Sequence, residues 1–379
     1  MKPVYLDYAA ATPLDAKVLK AMQPYFSDQF YNPSANYLSA RNVHEAIEAA
    51  RSSIAACLGA RSSEIIFTAG CTEANNLAIH GIMQRYPDKK AVVGSIEHES
   101  VLAPAGQYDH QPAPVGRDGL IDLLALEKLI DEATVLVSIM YANNEVGTIQ
   151  PLRQIAAVIS RILNRRRQAG NHLPLYFHSD AAQAANYLDL HVARLGVDLM
   201  TLNGGKIYGP KQSGLLWLRK GIVLEPLIWG GGQEHNVRSG TENVPGIIGL
   251  GVALTMAQAK KTEESARTRK LQQLFFELLR QKIPNCIING SAKKRLPNNV
   301  HVTFPAQDNE RLLMALDELG IQAAAGSACS ASSDQPSHVM SAMGISNSHA
   351  RSSLRFTLGR GTNADAIAHT VDTLSRLIA

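Results

Sequence analysis

The chain has 379 residues, of which 45% are hydrophobic and 18% charged, and its 37 basic residues nearly balance 33 acidic ones. This length predicts two domains, and the charge balance argues against direct nucleic-acid binding. No apolar run approaches the roughly 18 residues of a membrane span. The four cysteines, Cys57, Cys71, Cys286 and Cys329, form no CxxC pair, which argues against disulfides or a metal site and favours a cytoplasmic protein.

Short apolar runs alternate with amphipathic stretches in the first two thirds of the chain. This pattern predicts an α/β fold with a mostly parallel sheet covered by helices on both faces. The predicted strands are 64–68, 91–95, 135–140, 175–179, 198–202 and 214–218. A long helix is predicted from about Pro245 to Leu279.

Beyond that helix the pattern changes to a smaller α+β domain. It comprises a half-buried strand at 299–304, a helix at 308–319, a strand at 354–358 and a last helix capped by Asn363. We therefore expect an N-terminal segment, residues 1–15, that packs with the small domain. Residues 16–255 then form the large domain and residues 256–379 the small C-terminal one.

Lys206 stands in the sequence NGGKIYGP, residues 203–210, directly after an apolar strand. A lysine held among glycines and partly shielded from water has a lowered pKa, which makes it a nucleophile toward aldehydes. A surface lysine in a glycine turn is the competing interpretation of this sequence alone.

Other polar residues follow the predicted strands, where ligands bind in parallel sheets. Asp180 needs a cationic partner if it is buried, and a protonated pyridine nitrogen is one such partner, although Asp180 can equally cap the next helix. Gly70 and Thr72 stand at a strand-turn-helix junction that suits a phosphate or is a simple cap. His98 lies in a third loop, where it can stack on a flat ring.

Cys329 lies in the sequence GSACSASS, residues 326–333, which has no bulky side chains to pack against the thiol. Such a run predicts an exposed loop with a reactive cysteine. By contrast, Cys57 and Cys286 stand among apolar residues and are expected to pack in the core.

Together these segments resemble the cysteine desulfurases, the pyridoxal-phosphate (PLP) enzymes of fold type I in the class-V aminotransferase superfamily. The resemblance extends over nearly the whole chain. It includes YLDYAAATP at 5–13, YNPS at 31–34, NNEVG at 143–147, KIYGPK at 206–211, RSGT at 238–241 and SLRF at 353–356.

The resemblance implies a role for each residue of the site. Lys206, Cys329 and His98 would be catalytic: the lysine forms a Schiff base with PLP and moves a proton, and the cysteine takes the substrate sulfur as a persulfide while alanine leaves. The cofactor would be held by Asp180 at the pyridine nitrogen, Gln183 at the ring oxygen, His98 on the ring face, and Cys71, Thr72 and Asn203 near the phosphate, with Thr241 reaching in from a second subunit. The substrate carboxylate would be held by Asn32, Asn144 and Arg355.

The same resemblance implies a homodimer that takes L-cysteine and passes sulfur to an acceptor protein. The long stretch between Cys329 and Arg355 is similar to the group with an extended cysteine loop, which favours sulfur delivery. An iron–sulfur scaffold, a tRNA-thiolation carrier and DNA-modification machinery are all open as acceptors.

Two positions depart from the family pattern, because Asn203 replaces a usual serine and Gly205 a usual histidine, both near the phosphate. The chain also stops soon after its last predicted helix. These features predict a specialised role, and they leave open a selenocysteine lyase or aminotransferase, or a non-catalytic paralogue that binds a sulfur-trafficking partner.

Overall fold

The computed structural model describes residues 3–326 and 336–378. Its strands are β1 Val4–Tyr5, β2 Ile65–Thr68, β3 Lys90–Gly94, β4 His110–Ala113, β5 Thr134–Ser138, β6 Tyr176–Asp180, β7 Leu199–Asn203, β8 Gly214–Leu218, β9 Ile287–Ile288, β10 Asn299–Thr303, β11 Ile321–Gln322 and β12 Ser353–Thr357. Its helices are α1 Ala16–Met22, α2 Pro24–Ser27, α3 Leu38–Leu58, α4 Cys71–Met83, α5 Glu99–Ala105, α6 Leu123–Leu129, α7 Leu152–Gln168, α8 Val192–Leu195, α9 Val244–Lys282, α10 Asn309–Glu318, α11 His338–Ala342, α12 Asn347–Ala350 and α13 Ala364–Ile378.

Seven strands form the main sheet, in the order β2-β8-β7-β6-β5-β3-β4. Strands β4, β3, β5, β6 and β7 are parallel to one another, and only β8 runs against its neighbours β7 and β2. Strand β2 therefore runs in the same direction as β7. This architecture confirms the predicted α/β fold with a mostly parallel sheet. The carboxyl ends of β2, β3, β5, β6 and β7 meet at one edge of the sheet, where α/β proteins bind their ligands.

Both faces of the sheet are buried because successive side chains of a strand point to opposite sides. Val92, Val137 and Met200 pack into one apolar cluster with α3, α7 and the first half of α9. Their neighbours Val93 and Leu199 pack into a second cluster with α4 and α5. These near-continuous apolar runs are what the alternation of strands and helices predicts.

Strand β4 is absent from the sequence-based prediction because its residues, HQPA, carry no apolar pattern. The strand lies at the edge of the sheet. Proline has no backbone N–H to donate, so Pro112 is tolerated there, where one side of the strand has no neighbour.

A smaller core forms around the three-stranded sheet β12-β10-β9. Phe275 and Leu279 in the second half of α9 pack there against Val300 and Val302. The first strand of the chain, β1, pairs in parallel with β11, so the N-terminal segment contacts this part of the molecule.

The strand predicted at 299–304 is present as β10, but the prediction that it is half-buried is wrong, because every residue of β10 is buried. Its apolar residues face the small core. One of its polar residues, Asn299, donates a 2.8 Å hydrogen bond to the carbonyl of Glu145, in the loop that follows β5. The polar face is therefore covered by the large sheet's loops rather than by water.

Candidate active site

A cavity of about 220 Å³ lies at the carboxyl edge of the main sheet. Its walls bring together most of the side chains predicted for the site: Cys71, Thr72, His98, Asn144, Asp180, Gln183, Asn203, Lys206 and Arg355. These residues come from six separate stretches of the chain. We call this space the inner cavity.

A wider space of about 580 Å³, which we call the outer cavity, adjoins the inner one. The two share Ala10, Cys71, Thr72, Asn203 and Lys206 as wall residues. The outer cavity also reaches the first turn of α4, which begins after Gly70 without a side-chain cap. Helix N-termini present backbone N–H groups and a positive dipole end, so this wall suits an anion.

Lys206 ends a single 3₁₀ turn, Gly204–Lys206, that follows β7 directly. The Asn203 side chain caps this turn, since its Oδ1 accepts a 2.9 Å hydrogen bond from the Gly205 N–H. The Lys206 amine donates a 2.6 Å hydrogen bond to the carbonyl of Ala10. The lysine is thus part of the cavity wall rather than a surface side chain.

Asp180 is the last residue of β6 and is 6% exposed. Its Oδ1 accepts from the Ala182 N–H at 2.9 Å. Its Oδ2 accepts from Asn75 Nδ2 at 2.7 Å and from Cys71 Sγ at 3.2 Å. These donors are all neutral, so they fix the carboxylate without cancelling its charge.

Asn75 belongs to the site although it is absent from the sequence-based prediction. It is fully buried on α4, one turn beyond Cys71, and its Nδ2 also lies 2.9 Å from the Ser100 hydroxyl. The spacing of four residues from Cys71 places both side chains on the same face of the helix. That spacing is the signal by which the sequence could have revealed it.

Burial shifts the pKa values of three titratable groups near Asp180 toward their neutral forms. Burial raises the pKa of the Glu97 carboxyl well above its ordinary value, and the charge of Asp180 adds to the effect. Burial and the same charge raise the pKa of the Cys71 thiol. Burial lowers the pKa of His178 to about 4. Burial therefore disfavours the charged forms of all three groups, whereas the Lys206 amine lies on the same cavity wall as Asp180.

His98 caps α5 through its ring: Nδ1 accepts a 3.1 Å hydrogen bond from the Ser100 N–H. The Ser100 hydroxyl also lies 2.8 Å from this nitrogen. Because Nδ1 accepts, the neutral ring carries its proton on Nε2. The turn thus sets both the place and the tautomer of the ring on the inner cavity wall.

Arg355 lies on β12 and is 1% exposed. Its Nη2 donates to Asp7 Oδ1 at 2.6 Å, and its Nη1 donates to the carbonyl of Asn144 at 3.1 Å. Within residues 3–326 and 336–378, its Nε–H has no hydrogen-bond partner. The guanidinium is thus held by hydrogen bonds from both of its terminal nitrogens.

Gln183 also lines the inner cavity. Its Nε2 donates a 3.0 Å hydrogen bond to the carbonyl of Ala9. The N-terminal segment therefore contacts both Gln183 and Lys206 through adjacent carbonyl groups.

Three predicted residues lie elsewhere. Asn32 is exposed, and its Oδ1 accepts a 2.9 Å hydrogen bond from the Ser34 N–H. Thr241 is exposed beside a separate cavity of about 210 Å³. Cys329 lies outside the described residues, and so does the predicted loop around it.

Among the helices of the described residues, none has the length and apolar character needed to cross a bilayer.

The class-V aminotransferase family model matches residues 4–368, and the chain belongs to this family. The cysteine desulfurase IscS of Dictyoglomus turgidum is 40% identical over all of this chain and 95% of its own length. A solved NifS-like protein superposes with a TM-score of 0.91 at 30% identity, over 99% of each chain. Another structure, titled "SspA in complex with cysteine", has a TM-score of 0.79 at 38% identity and covers 93% of this chain and 98% of its own.

Within the class-V aminotransferases, the chain is a member of the cysteine desulfurases. The identity to curated relatives runs the full length of the chain, so it includes both the main sheet and the smaller core. Class-V aminotransferases and cysteine desulfurases depend in general on PLP, and the family is generally dimeric.

Proposed function

We propose that this chain takes sulfur from L-cysteine with PLP bound to Lys206, releases L-alanine and holds the sulfur as a persulfide on Cys329. One observation carries the proposal: the Lys206 amine and the buried Asp180 carboxylate line the same cavity of about 220 Å³. An amine able to bind an aldehyde and a carboxylate able to bind a pyridinium are the two groups that PLP requires of a protein.

The other groups on the cavity walls fit the same cofactor. Asp180 accepts hydrogen bonds from three neutral donors, and its carboxylate is a suitable partner for a cationic ring nitrogen. The uncapped start of α4, with Cys71 and Thr72, suits the phosphate in the outer cavity. His98 and Gln183 would then contact the ring, and Asn203 the phosphate side.

PLP supplies an electron sink that labilises the bonds at Cα of a bound amino acid. The residues of the chain supply the remaining steps. Arg355 and Asn144, which line the inner cavity, hold the substrate carboxylate, with the guanidinium as its charged partner. Lys206 moves the proton between Cα and the cofactor, with His98 beside it.

In the sulfur transfer, one bond of the substrate sulfur forms as another breaks. The Cys329 thiolate forms a sulfur–sulfur bond with the substrate sulfur as the bond from that sulfur to Cβ breaks. The electron pair of the broken bond stays with Cβ, which takes up a proton and becomes the methyl group of alanine. The persulfide then passes its outer sulfur to an acceptor protein, for iron–sulfur assembly, tRNA thiolation or a related use.

A second copy of the chain is part of the proposal. Thr241 is exposed, and we propose that it contacts the phosphate in the partner's site. Large apolar side chains on the surface support such an interface, since Phe26 is 63%, Phe30 66% and Trp229 77% exposed. Exposed apolar groups of this size mark protein interfaces.

The test is to incubate PLP-loaded protein with L-cysteine and measure alanine together with persulfide on Cys329. We expect both in the unmodified chain and neither in Cys329→Ala. Cys286→Ala is the matched control, because Cys286 packs against the small core, and it should behave like the unmodified chain. Alanine from Cys329→Ala at the unmodified rate would contradict the assigned role of this thiol. A lyase for selenocysteine or an aminotransferase would keep its own activity in that variant.

The residues at 203 and 205 favour a second candidate, a non-catalytic paralogue that binds a sulfur-trafficking partner. Gly205 has no side chain to offer a phosphate, and the Asn203 side chain accepts from the Gly205 N–H. The visible absorbance of the purified protein separates the two candidates. A protein that is colourless and gains no band near 420 nm (roughly, the range of PLP imines) on adding PLP is the non-catalytic one.

A further inference from the structure

Thr12 lies where the N-terminal segment crosses the turn that carries Lys206. Its hydroxyl donates a 3.1 Å hydrogen bond to the Gly205 carbonyl and accepts a 2.8 Å hydrogen bond from the Tyr208 N–H. Its own N–H also donates to the Gly205 carbonyl, at 3.2 Å. The side chain is therefore bonded to the turn on both sides of Lys206, one residue before it and two residues after it. Thr12 is 2% exposed, so water does not replace these bonds.

The backbone just after this turn, at Tyr208, is strained, and the hydrogen bond to Thr12 helps to hold it. Tyr208 has a φ of 63°, in the left-handed region that a bulky residue rarely adopts. Tyr208 is 5% exposed, and its N–H, whose acceptor is Thr12, would be left without a partner in a dry environment if that hydroxyl were removed. Relaxation of this strain would move the backbone two residues from Lys206.

The same segment also contacts the lysine amine. Ala10, two residues before Thr12, accepts the 2.6 Å hydrogen bond from Lys206 Nζ. The segment is also bonded to β12, where the Ala9 N–H donates a hydrogen bond to the Thr357 hydroxyl at 2.9 Å. The backbone of Lys206 and the acceptor of its amine are thus both set by one short stretch of chain.

We propose that Thr12 is a positioning residue for Lys206: its hydroxyl joins the Gly205 carbonyl to the Tyr208 N–H and so fixes where the lysine amine meets an aldehyde. This inference rests on the proposed function of Lys206. It assigns Thr12 no contact with substrate or cofactor and no proton transfer.

Thr12→Val and Thr12→Ser form a matched pair. Valine keeps the branched shape but removes the donor and acceptor, whereas serine keeps the hydroxyl. The first measurement is the rate at which cofactor-depleted protein regains visible absorbance at saturating PLP, which reports attack by the lysine amine. The second is kcat and KM for L-cysteine in reloaded protein. Thermal unfolding of each variant verifies that it is folded.

We expect Thr12→Val to slow the return of absorbance and to lower kcat, each by about 10- to 100-fold, since a small displacement of a reacting group has effects of this size. KM should change less than about 3-fold, because no substrate contact is lost. Thr12→Ser should stay within about 3-fold of the unmodified chain in both rates. A role in stability alone would lower the unfolding temperature and leave both rates unchanged in folded protein.

Equal rates for folded Thr12→Val and Thr12→Ser would overturn the inference. If Thr12→Val does not fold, Thr12→Cys takes its place, because a thiol is a weaker donor and acceptor than a hydroxyl. Its rates should then fall between those expected for serine and valine, and rates equal to those of serine would overturn the inference. An unmodified chain that neither binds PLP nor forms alanine would instead refute the proposed function.

Discussion

Two buried charged groups line the inner cavity, and they are held in opposite ways. Asp180 accepts hydrogen bonds from neutral donors, and burial shifts the pKa values of Glu97 and His178 toward their neutral forms. Arg355 instead has a carboxylate partner, Asp7, at 2.6 Å. The Asp180 carboxylate is therefore held by hydrogen bonds from uncharged groups, whereas the Arg355 guanidinium is paired with a carboxylate of the protein. A ligand with a cationic ring and an anionic tail would place its ring at the Asp180 carboxylate. Its tail would meet an Arg355 guanidinium that is already paired with Asp7.

Asp180→Asn gives the largest effect in this comparison. An amide of the same shape removes the negative charge and replaces one accepting oxygen by a donor, so kcat for alanine formation should fall by about 10²- to 10³-fold. The measurement is alanine formation at saturating L-cysteine and PLP, with visible absorbance as a check on bound cofactor. Activity within 3-fold (about 0.6 kcal/mol) of the unmodified chain would show that the charge of Asp180 is unimportant.

The neutrality of His178 predicts a dependence of stability on pH. The unfolded chain protonates this histidine near its ordinary pKa of about 6.5, whereas the folded chain does so at about 4. Between these values the unfolded state binds more protons, so the free energy of unfolding falls as the pH is lowered, by about 2 kcal/mol between pH 6.5 and 5. Above pH 6.5 this contribution is fully present. Urea unfolding at several pH values measures it.

The control for this prediction is His178→Gln, which cannot titrate. The variant should be less stable at pH 7, because the ring contacts Ser138 and Thr201 at 2.8 and 3.1 Å, but its stability should change less with pH. The same pH dependence in both proteins would assign the effect to other groups.

Arg355→Lys tests the proposed contact between the guanidinium and the substrate carboxylate. A lysine cannot reproduce the planar fork of the guanidinium, so KM for L-cysteine should rise by about 10-fold or more with a smaller change in kcat. Asp7→Asn is the matched variant, because it removes the charge that competes with the substrate carboxylate. We expect its KM to stay within about 3-fold of the unmodified value or to fall. A KM that rises equally in both variants would show that Asp7 helps substrate binding rather than competing with it.

The smallest effects come from the two side chains that donate to Asp180. Asn75→Ala removes a donor at 2.7 Å and leaves a buried gap, so kcat should fall by about 10-fold. Cys71→Ala removes only a weak thiol donor and should change kcat by less than about 3-fold. Steady-state rates of alanine formation rank the two, and a larger loss in Cys71→Ala would mean that the thiol has a role beyond this hydrogen bond.

Sequence patterns were sufficient to place most of the cavity wall. Lys206, Asp180 and His98 each follow an apolar strand, and parallel strands bring their carboxyl ends to one edge, so proximity follows from the pattern alone. The structure brings all three to one cavity. Asn32 and Thr241 lie outside that cavity in the single chain, and their roles stay predictions. The role of Cys329 is likewise a prediction, since it lies outside the described residues.

Other features were decided only by the tertiary structure, because they depend on contacts between residues distant along the chain. Thr12 and Tyr208 are separated by 196 positions, and no local pattern indicates that they contact each other. The same holds for β10, whose polar face is buried because another part of the fold covers it. By itself, the sequence determined which strands and loops carry the reactive groups, since periodicity and turn residues act locally. The folded chain decided which neighbours hold those groups and which of them stay neutral, because burial and hydrogen bonding exist only after distant segments have packed together.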